Sequence, residues 1–259
     1  MALDESIATT VRSGQAPPTL RLYSWITPSV SLGVFQPFGE IDAAYCIRHA
    51  IPVVRRPTGG RAILHGDELT YSFSASADCS LFGTHLRDAY RALSSAFAQA
   101  FRSIGLPAVV QDRPVAGRLL TRSALCFQSV SYGELTVSGK KIIGSAQKRW
   151  PDGFLQQGSI PLSIDACRSA GVFRKPSTDE DCAGLKSFLG DIEEETLQRA
   201  VIAAFEETFT IRFSEALPLR QETELAARLT EEKYRSRAWT EALSRRRRSG
   251  CNTGTPPKT

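Results

Sequence analysis

The sequence predicts an α+β fold: a mostly antiparallel mixed sheet with packed helices and a short helical C-terminal region. Three observations predict it. Strand-like runs crowd the first 165 residues, the amphipathic stretch "LRDAYRALSSAFAQAFRSIG" stands among them, and from about Thr196 the apolar spacing turns helical.

In chain order, "LDESIATTVRSG" sets Leu3, Ile7, Ala8 and Val11 at helical spacing. Gly14 suits its C-terminal cap and Pro17-Pro18 close the element. "LRLYSW" and "SVSLGVF" read as two strands forming a hairpin. "VVRRPTGGRAILH" and "ELTYSFSAS" read as two more strands around a polar turn. The long helix then ends at Gly105, and a short strand follows near "AVVQ". After an arginine-rich stretch to Ser123, "GELTVSGKKIIGSAQKRW" forms a hairpin turning at Ser138-Gly139, and "GFLQQGSIPLSI" supplies another strand. "TLQRAVIAAFEETF" and "ETELAARLTEEKYRSRAWTEAL" are the closing amphipathic helices. The helices are expected on one face of the sheet. Residues 1–190 form the main domain, 191–244 a helical region of the same unit, and 245–259 a disordered basic tail.

With 42% hydrophobic and 23% charged residues, a chain of 259 residues is expected to bury one large core. No run approaches the roughly 20 apolar residues that span a bilayer. "MALDESIATTVRSG" lacks the basic and apolar regions of a signal peptide, so a cytoplasmic protein with no membrane partner is expected. The net charge of +5 is carried by Arg245, Arg246, Arg247, Arg248 and Lys258, which leaves residues 1–244 neutral. That balance predicts no nucleic acid partner. The six cysteines form no CxxC pair and no zinc-like spacing, so they read as thiols, most of them buried, with no metal site.

The chemistry concentrates in two places. In "RRPTGGRAILHGDELTYS", Gly59 and Gly60 either make a plain turn or let the backbone approach a ligand with its N–H groups. Arg55 and Arg56 lie on opposite faces of a strand, so one addresses a pocket and the other meets solvent. His65 is either a hydrogen-bonded structural histidine or a substrate-binding group or base. In the hairpin, Lys140 and Lys141 also point to opposite faces. An inward lysine beside Gly144 and Ser145 would be a deliberate charge, whereas solvated edge lysines are the plain alternative. Cys126, in "SALCFQS", is either a core thiol or a nucleophile whose pKa a nearby cation lowers.

Together the segments "MALDESI", "LRLYSWITPSVSLGVFQ", "RRPTGGRAILH", "GKKIIGSAQKR" and "QGSIPL" resemble, in order, the lipoate-protein ligase A, octanoyltransferase and biotin-protein-ligase superfamily. They span about residues 1–165, and "LTEEKYRSRAW" is similar to its short helical ending. "CFQSVSYGELTVSGKK" most resembles the LipM-type octanoyltransferases, which use a cysteine nucleophile. The resemblance implies transfer of octanoyl from octanoyl-acyl carrier protein to Cys126 as a thioester, then to a lysine of a lipoyl domain. Acceptors would be lipoyl-domain proteins, either a glycine-cleavage H protein or 2-oxoacid dehydrogenase E2 subunits. Lys141 would stabilise the oxyanion with help from Gly59 and Gly60. Arg55 or Arg56 and His65 would line the polar end of an acyl pocket, and Ile63 and Leu64 its tail. No cofactor is implied, and family analogy implies a monomer. Basic residues such as Arg113, Arg118 and Arg122 either steer acidic partners or serve solubility.

The sequence departs from the family at Gly66, where aspartate is usual, and at Gln157, where histidine is common. It also opens on its first helix without the strand that commonly precedes it. Other readings are an ATP-dependent lipoate ligase, an amidotransferase between lipoyl domains, and a non-catalytic binder of acyl carriers or lipoyl domains.

Overall fold

Leu69, Tyr71, Phe73 and Ala75 alternate with Thr70, Ser72 and Ser74, and a strand forms over them. Both sets are buried, so this strand lies at the centre of the structure. The computed structural model describes residues 1–82, 86–111, 134–173 and 182–242.

The elements are α1 (Ala2–Arg12), β1 (Thr19–Tyr23), β2 (Ser29–Leu32), α2 (Ala43–Arg48), β3 (Val53–Arg55), β4 (Ile63–His65) and β5 (Glu68–Ser76). Then come α3 (Leu86–Ser103), β6 (Val109–Val110), β7 (Leu135–Val137), β8 (Lys140–Lys141), β9 (Gly144–Trp150) and β10 (Gly153–Pro161). The chain continues through α4 (Ala166–Val172), α5 (Lys186–Leu189), α6 (Glu194–Phe209), α7 (Arg220–Leu229) and α8 (Arg237–Glu241). An antiparallel sheet runs β1-β5-β10-β9, a mixed one β3-β2-β4 and a small antiparallel one β6-β7-β8. The α+β, mostly antiparallel expectation therefore holds.

Three local expectations do not. β1 pairs with β5 while β2 pairs with β3 and β4, so the two form no hairpin. The run "VVRRPTGGRAILH" is two strands flanking β2, broken by the glycine turn. The helices also occupy both faces of the large sheet. Tyr71 and Phe73 meet Phe97 and Phe205 of α3 and α6, with ring centroids 4.4 and 6.1 Å apart. On the other face α1 covers Ser72, whose hydroxyl donates to Asp4 at 3.0 Å. Polar alternation looks like a solvent face in the sequence, but here a buried carboxylate satisfies it.

The Ser138-Gly139 turn is as expected, with both residues at positive φ (50° and 78°), which suits a two-residue hairpin. A second core of Val30, Leu32, Ile41, Cys46 and Phe173 lies under the small mixed sheet. The closing amphipathic stretch is not one helix: a π-helical turn at Thr230–Tyr234 separates α7 from α8. There Lys233 and Tyr234 donate to Glu5 of α1. Of the described cysteines only Cys46 is buried, against the expectation for most, and no disulfide joins them. No helix among the described residues is long and apolar enough to cross a membrane.

Gly33 ends the β2 segment against the glycine turn, and a Cβ there would stand 1.9 Å from the Gly60 carbonyl oxygen. Gly33→Ala is expected to cost about 3 kcal/mol, read as a lower urea midpoint. A loss under about 0.5 kcal/mol would mean that the turn moves aside freely.

Candidate active site

The glycine turn is held from behind. Gly60 sits at φ 81°, a conformation that favours glycine, while a Cβ at Gly59 would meet nothing within 4 Å. Arg56 donates to the Gly59 and Arg61 carbonyls, each at 2.7 Å, and to the Ser31 carbonyl at 2.9 Å. Arg55 points elsewhere. Its guanidinium donates to the carbonyls of Gly33 and Gln36 at 2.7 Å and of Thr240 at 2.8 Å, so it fastens α8 to the small sheet. Both arginines are buried, against the expectation that one meets solvent. Carbonyl oxygens replace the water that each charge loses.

His65 is fixed on three sides. Its Nε2 lies 2.7 Å from Ser31 Oγ, its Nδ1 2.7 Å from Glu68 Oε1, and Trp25 stacks on the ring at 4.1 Å. Glu68 also accepts from Thr70 and from Ser159, the latter at 2.8 Å. Burial pushes the Glu68 carboxyl up, but the His65 charge and these hydrogen bonds outweigh it and hold the group below the usual glutamate range. His65 thus links the glycine turn, through Ser31 and Arg56, to β10.

Lys140 is exposed and Lys141 is 1% exposed, as alternation requires. The Lys141 ammonium donates to Glu134. Glu134 was missed from the sequence, although the turn could have revealed it. Pairing Thr136 with Lys141 sets Glu134, two residues earlier, on the same face.

Gly144 pairs with Ser159, and Ser145 Oγ lies 2.7 Å from Tyr71 Oη, which also accepts from Gln156 at 2.8 Å. Burial pushes the Tyr71 phenol up to about 12. Gln157 accepts from Thr58 at 2.9 Å and donates to Asp4 at 2.7 Å, so it joins α1 to the glycine turn. Gly66 borders open space.

A cavity of about 280 Å³ opens beside this network, with Ile63, Leu64, His65, Glu68 and Cys182 on its wall. Lys141 and Cys182 form a parallel bridge, which brings the lysine strand to the cavity wall. Gly59, Gly60, Arg56 and His65 are thus gathered around Ser31, while Gly144 and Ser145 adjoin the lysine hairpin. Arg55 stands apart. Cys126, Arg113, Arg118, Arg122 and the basic tail lie outside the described residues.

Residues 1–214 match the lipoyl protein ligase A/B catalytic-domain family. The chain is 39% identical over 255 residues to octanoyltransferase LipM of Exiguobacterium sp. strain AT1b, covering 92% of each. A crystal structure of lipoate-protein ligase A bound with ATP superposes with a TM-score of 0.80 at 29% identity, covering 94% of this chain and 93% of that one. A bipartite lipoate protein ligase studied with its E2 lipoyl domain, from Thermoplasma acidophilum, gives 0.79 at 25% identity, covering 95% and 91%.

Because the Glu68 pKa is depressed by folding, its stabilisation is complete above the ordinary glutamate value of about 4.3 and is lost as pH falls through the folded value. Glu68→Gln is expected to flatten the fall of stability between pH 5 and pH 3, measured by urea titration at each pH; an unchanged slope would contradict this role. Arg55→Ala, which strands the Thr240 and Gln36 carbonyls, is expected to cost about 3 kcal/mol and to raise protease cutting near α8. Wild-type stability and cutting in that variant would contradict the fastening role.

Proposed function

The chain belongs to the lipoyl protein ligase A/B catalytic-domain family, and from that premise we propose that it is an octanoyltransferase of protein lipoylation. It takes octanoyl from octanoyl-acyl carrier protein onto Cys126 and passes it to a lysine of a lipoyl domain. The observation that carries this reading is the match over 92% of both chains to a protein named as an octanoyltransferase.

The chemistry proceeds in two exchanges. The Cys126 thiolate attacks the donor carbonyl, a new C–S bond forms, and the carrier leaves as a thiolate that takes a proton. The acceptor lysine, as the free amine, then attacks the Cys126 thioester; an amide forms, Cys126 leaves as a thiolate and one proton is released. The first exchange trades one thioester for another, so it needs neither ATP nor a metal.

Lys141 supplies the positive charge that faces the developing oxyanion, from a water-poor position where such a charge acts strongly. Glu134 balances that charge in the resting protein. The Gly59 backbone, with no Cβ beside it, gives the acyl group a close approach, and Ile63 and Leu64 line its tail. Arg56 and His65 hold that wall in shape, and Gly144 and Ser145 continue it from the lysine hairpin.

The acceptor is a lipoyl domain, a reading supported by the structural likeness to a ligase studied with its E2 lipoyl domain. A glycine-cleavage H protein and a dehydrogenase E2 subunit both fit it. In this reading the protein works as a cytoplasmic monomer. A second reading, an ATP-dependent lipoate ligase, is favoured by the likeness to a ligase bound with ATP.

The test is the intact mass of the protein after mixing with octanoyl-acyl carrier protein in the absence of ATP. Wild type is expected to gain one octanoyl group that hydroxylamine removes, and Cys126→Ala none. Lys141→Met is expected to slow the gain about 100-fold or more. Labelling of a lipoyl domain only with octanoate and ATP, indifferent to Cys126→Ala, would establish the ligase instead.

A further inference from the structure

The hairpin of β7 and β8 sets a buried carboxylate against a buried ammonium. Thr136 pairs with Lys141 across the Ser138-Gly139 turn, so Glu134, two residues before Thr136, is the diagonal neighbour of Lys141 on the same face. Both side chains are buried, and the ammonium donates to the carboxylate. The strand that carries Glu134 is braced along its other edge. Gln111, just after β6, donates its backbone N–H to the Glu134 carbonyl at 2.8 Å and its side-chain amide to Thr136 Oγ1 at 2.9 Å. The carboxylate therefore sits on a fixed support, while the lysine reaches it on a flexible four-carbon stem.

We propose that Glu134 is a positioning residue for acyl transfer: its charge holds the Lys141 ammonium in the buried site and aims it at the oxyanion. The proposal rests on the reading of Lys141 as the group that faces the oxyanion in a transferase.

Two effects of the carboxylate oppose each other. A negative charge beside Lys141 weakens its pull on the developing oxyanion. Without that charge, however, the ammonium would lie buried with no balancing charge to offset the water it has lost. A buried cation stripped of its partner costs more than the attraction that the partner takes away, so the second effect wins. Geometry allows both contacts at once. The ammonium carries three N–H donors, so one stays on Glu134 while another turns to the oxyanion. A neutral acceptor in place of Glu134 would still orient the ammonium but would leave its charge unbalanced. The charge of this carboxylate is thus required as well as its place. The backbone of Lys141 bridges to Cys182 on the cavity wall, so the pair belongs to the strand that borders the cavity.

The test follows single-turnover octanoylation of the protein by octanoyl-acyl carrier protein, read by intact mass over a range of donor concentrations. Glu134→Gln is expected to slow the saturated rate constant about tenfold or more and to leave the half-saturating donor concentration unchanged. Glu134→Asp, which keeps the charge on a shorter stem, is expected to fall between Glu134→Gln and wild type. In a Lys141→Met background, Glu134→Gln is expected to cause no further slowing, because a residue that acts through Lys141 has nothing to act on once Lys141 is gone. A merely structural role would slow both backgrounds alike. The rate constant is read from the fraction that reacts, so a poorly folding variant still reports. A wild-type rate constant in Glu134→Gln, no recovery in Glu134→Asp, or equal slowing in both backgrounds would overturn the proposal alone. Wild type that gains no octanoyl group, or Lys141→Met that reacts at the wild-type rate, would overturn the reading of the site, and this proposal with it.

Discussion

Two adjacent buried guanidinium groups organise this molecule. Arg55 and Arg56 leave the end of one short strand in different directions and bond backbone carbonyls on either side of it. Neither charge has access to bulk water, so each is stable only while those carbonyls stay turned toward it. The constraint works in both directions. Arg56 fixes the shape of the glycine turn, and Arg55 fixes the C-terminal helix that closes the far side of the same small sheet.

From the glycine turn the order spreads through polar contacts rather than apolar packing. Arg56 reaches Ser31, Ser31 reaches His65, His65 reaches Glu68, and Glu68 accepts from Ser159 on the central sheet. Thr58 adds a second route through Gln157 to Asp4 on the first helix. Asp4 stays charged despite complete burial: burial pushes its carboxyl up, but the chain's amino terminus, Arg21, Gln157 and Ser72 together hold it below the usual range. These networks register the small mixed sheet against the large one, and the cavity lies alongside. Gln157 performs this linking role, so its amide is a structural connector in this chain.

Much of this was legible in the sequence, and the misses have physical causes. Helix periodicity located the helix from Leu86 and the one from Glu194, and the Ser138-Gly139 dipeptide gave the hairpin with its buried Lys141. Pairing between distant strands was not legible, because alternation gives the face of a residue and not the partner of its strand. The burial of the polar face of the central strand was not legible either, because Asp4, which accepts from Ser72, and Glu68, which accepts from Thr70, come over it only in the fold. The two arginines were marked as functional from their neighbourhood with the glycines. Their bonds run to carbonyls of distant residues, which no local pattern records. Glu134 was missed although the Ser138-Gly139 turn sets it on the face of Lys141. The cysteine reading rests on resemblance to the family and on chemistry.

We propose that an acyl group passes through this protein as a thioester. The direct measurement is a single-turnover chase. Octanoylated protein is freed of donor and nucleotide and mixed with a lipoyl domain, and the masses of both proteins are followed in time. The enzyme is expected to lose one octanoyl group at the rate at which the lipoyl domain gains it, and a lipoyl domain lacking its acceptor lysine is expected to gain nothing. A stable acyl-enzyme beside an acceptor that becomes labelled only when ATP and free octanoate are added would contradict it.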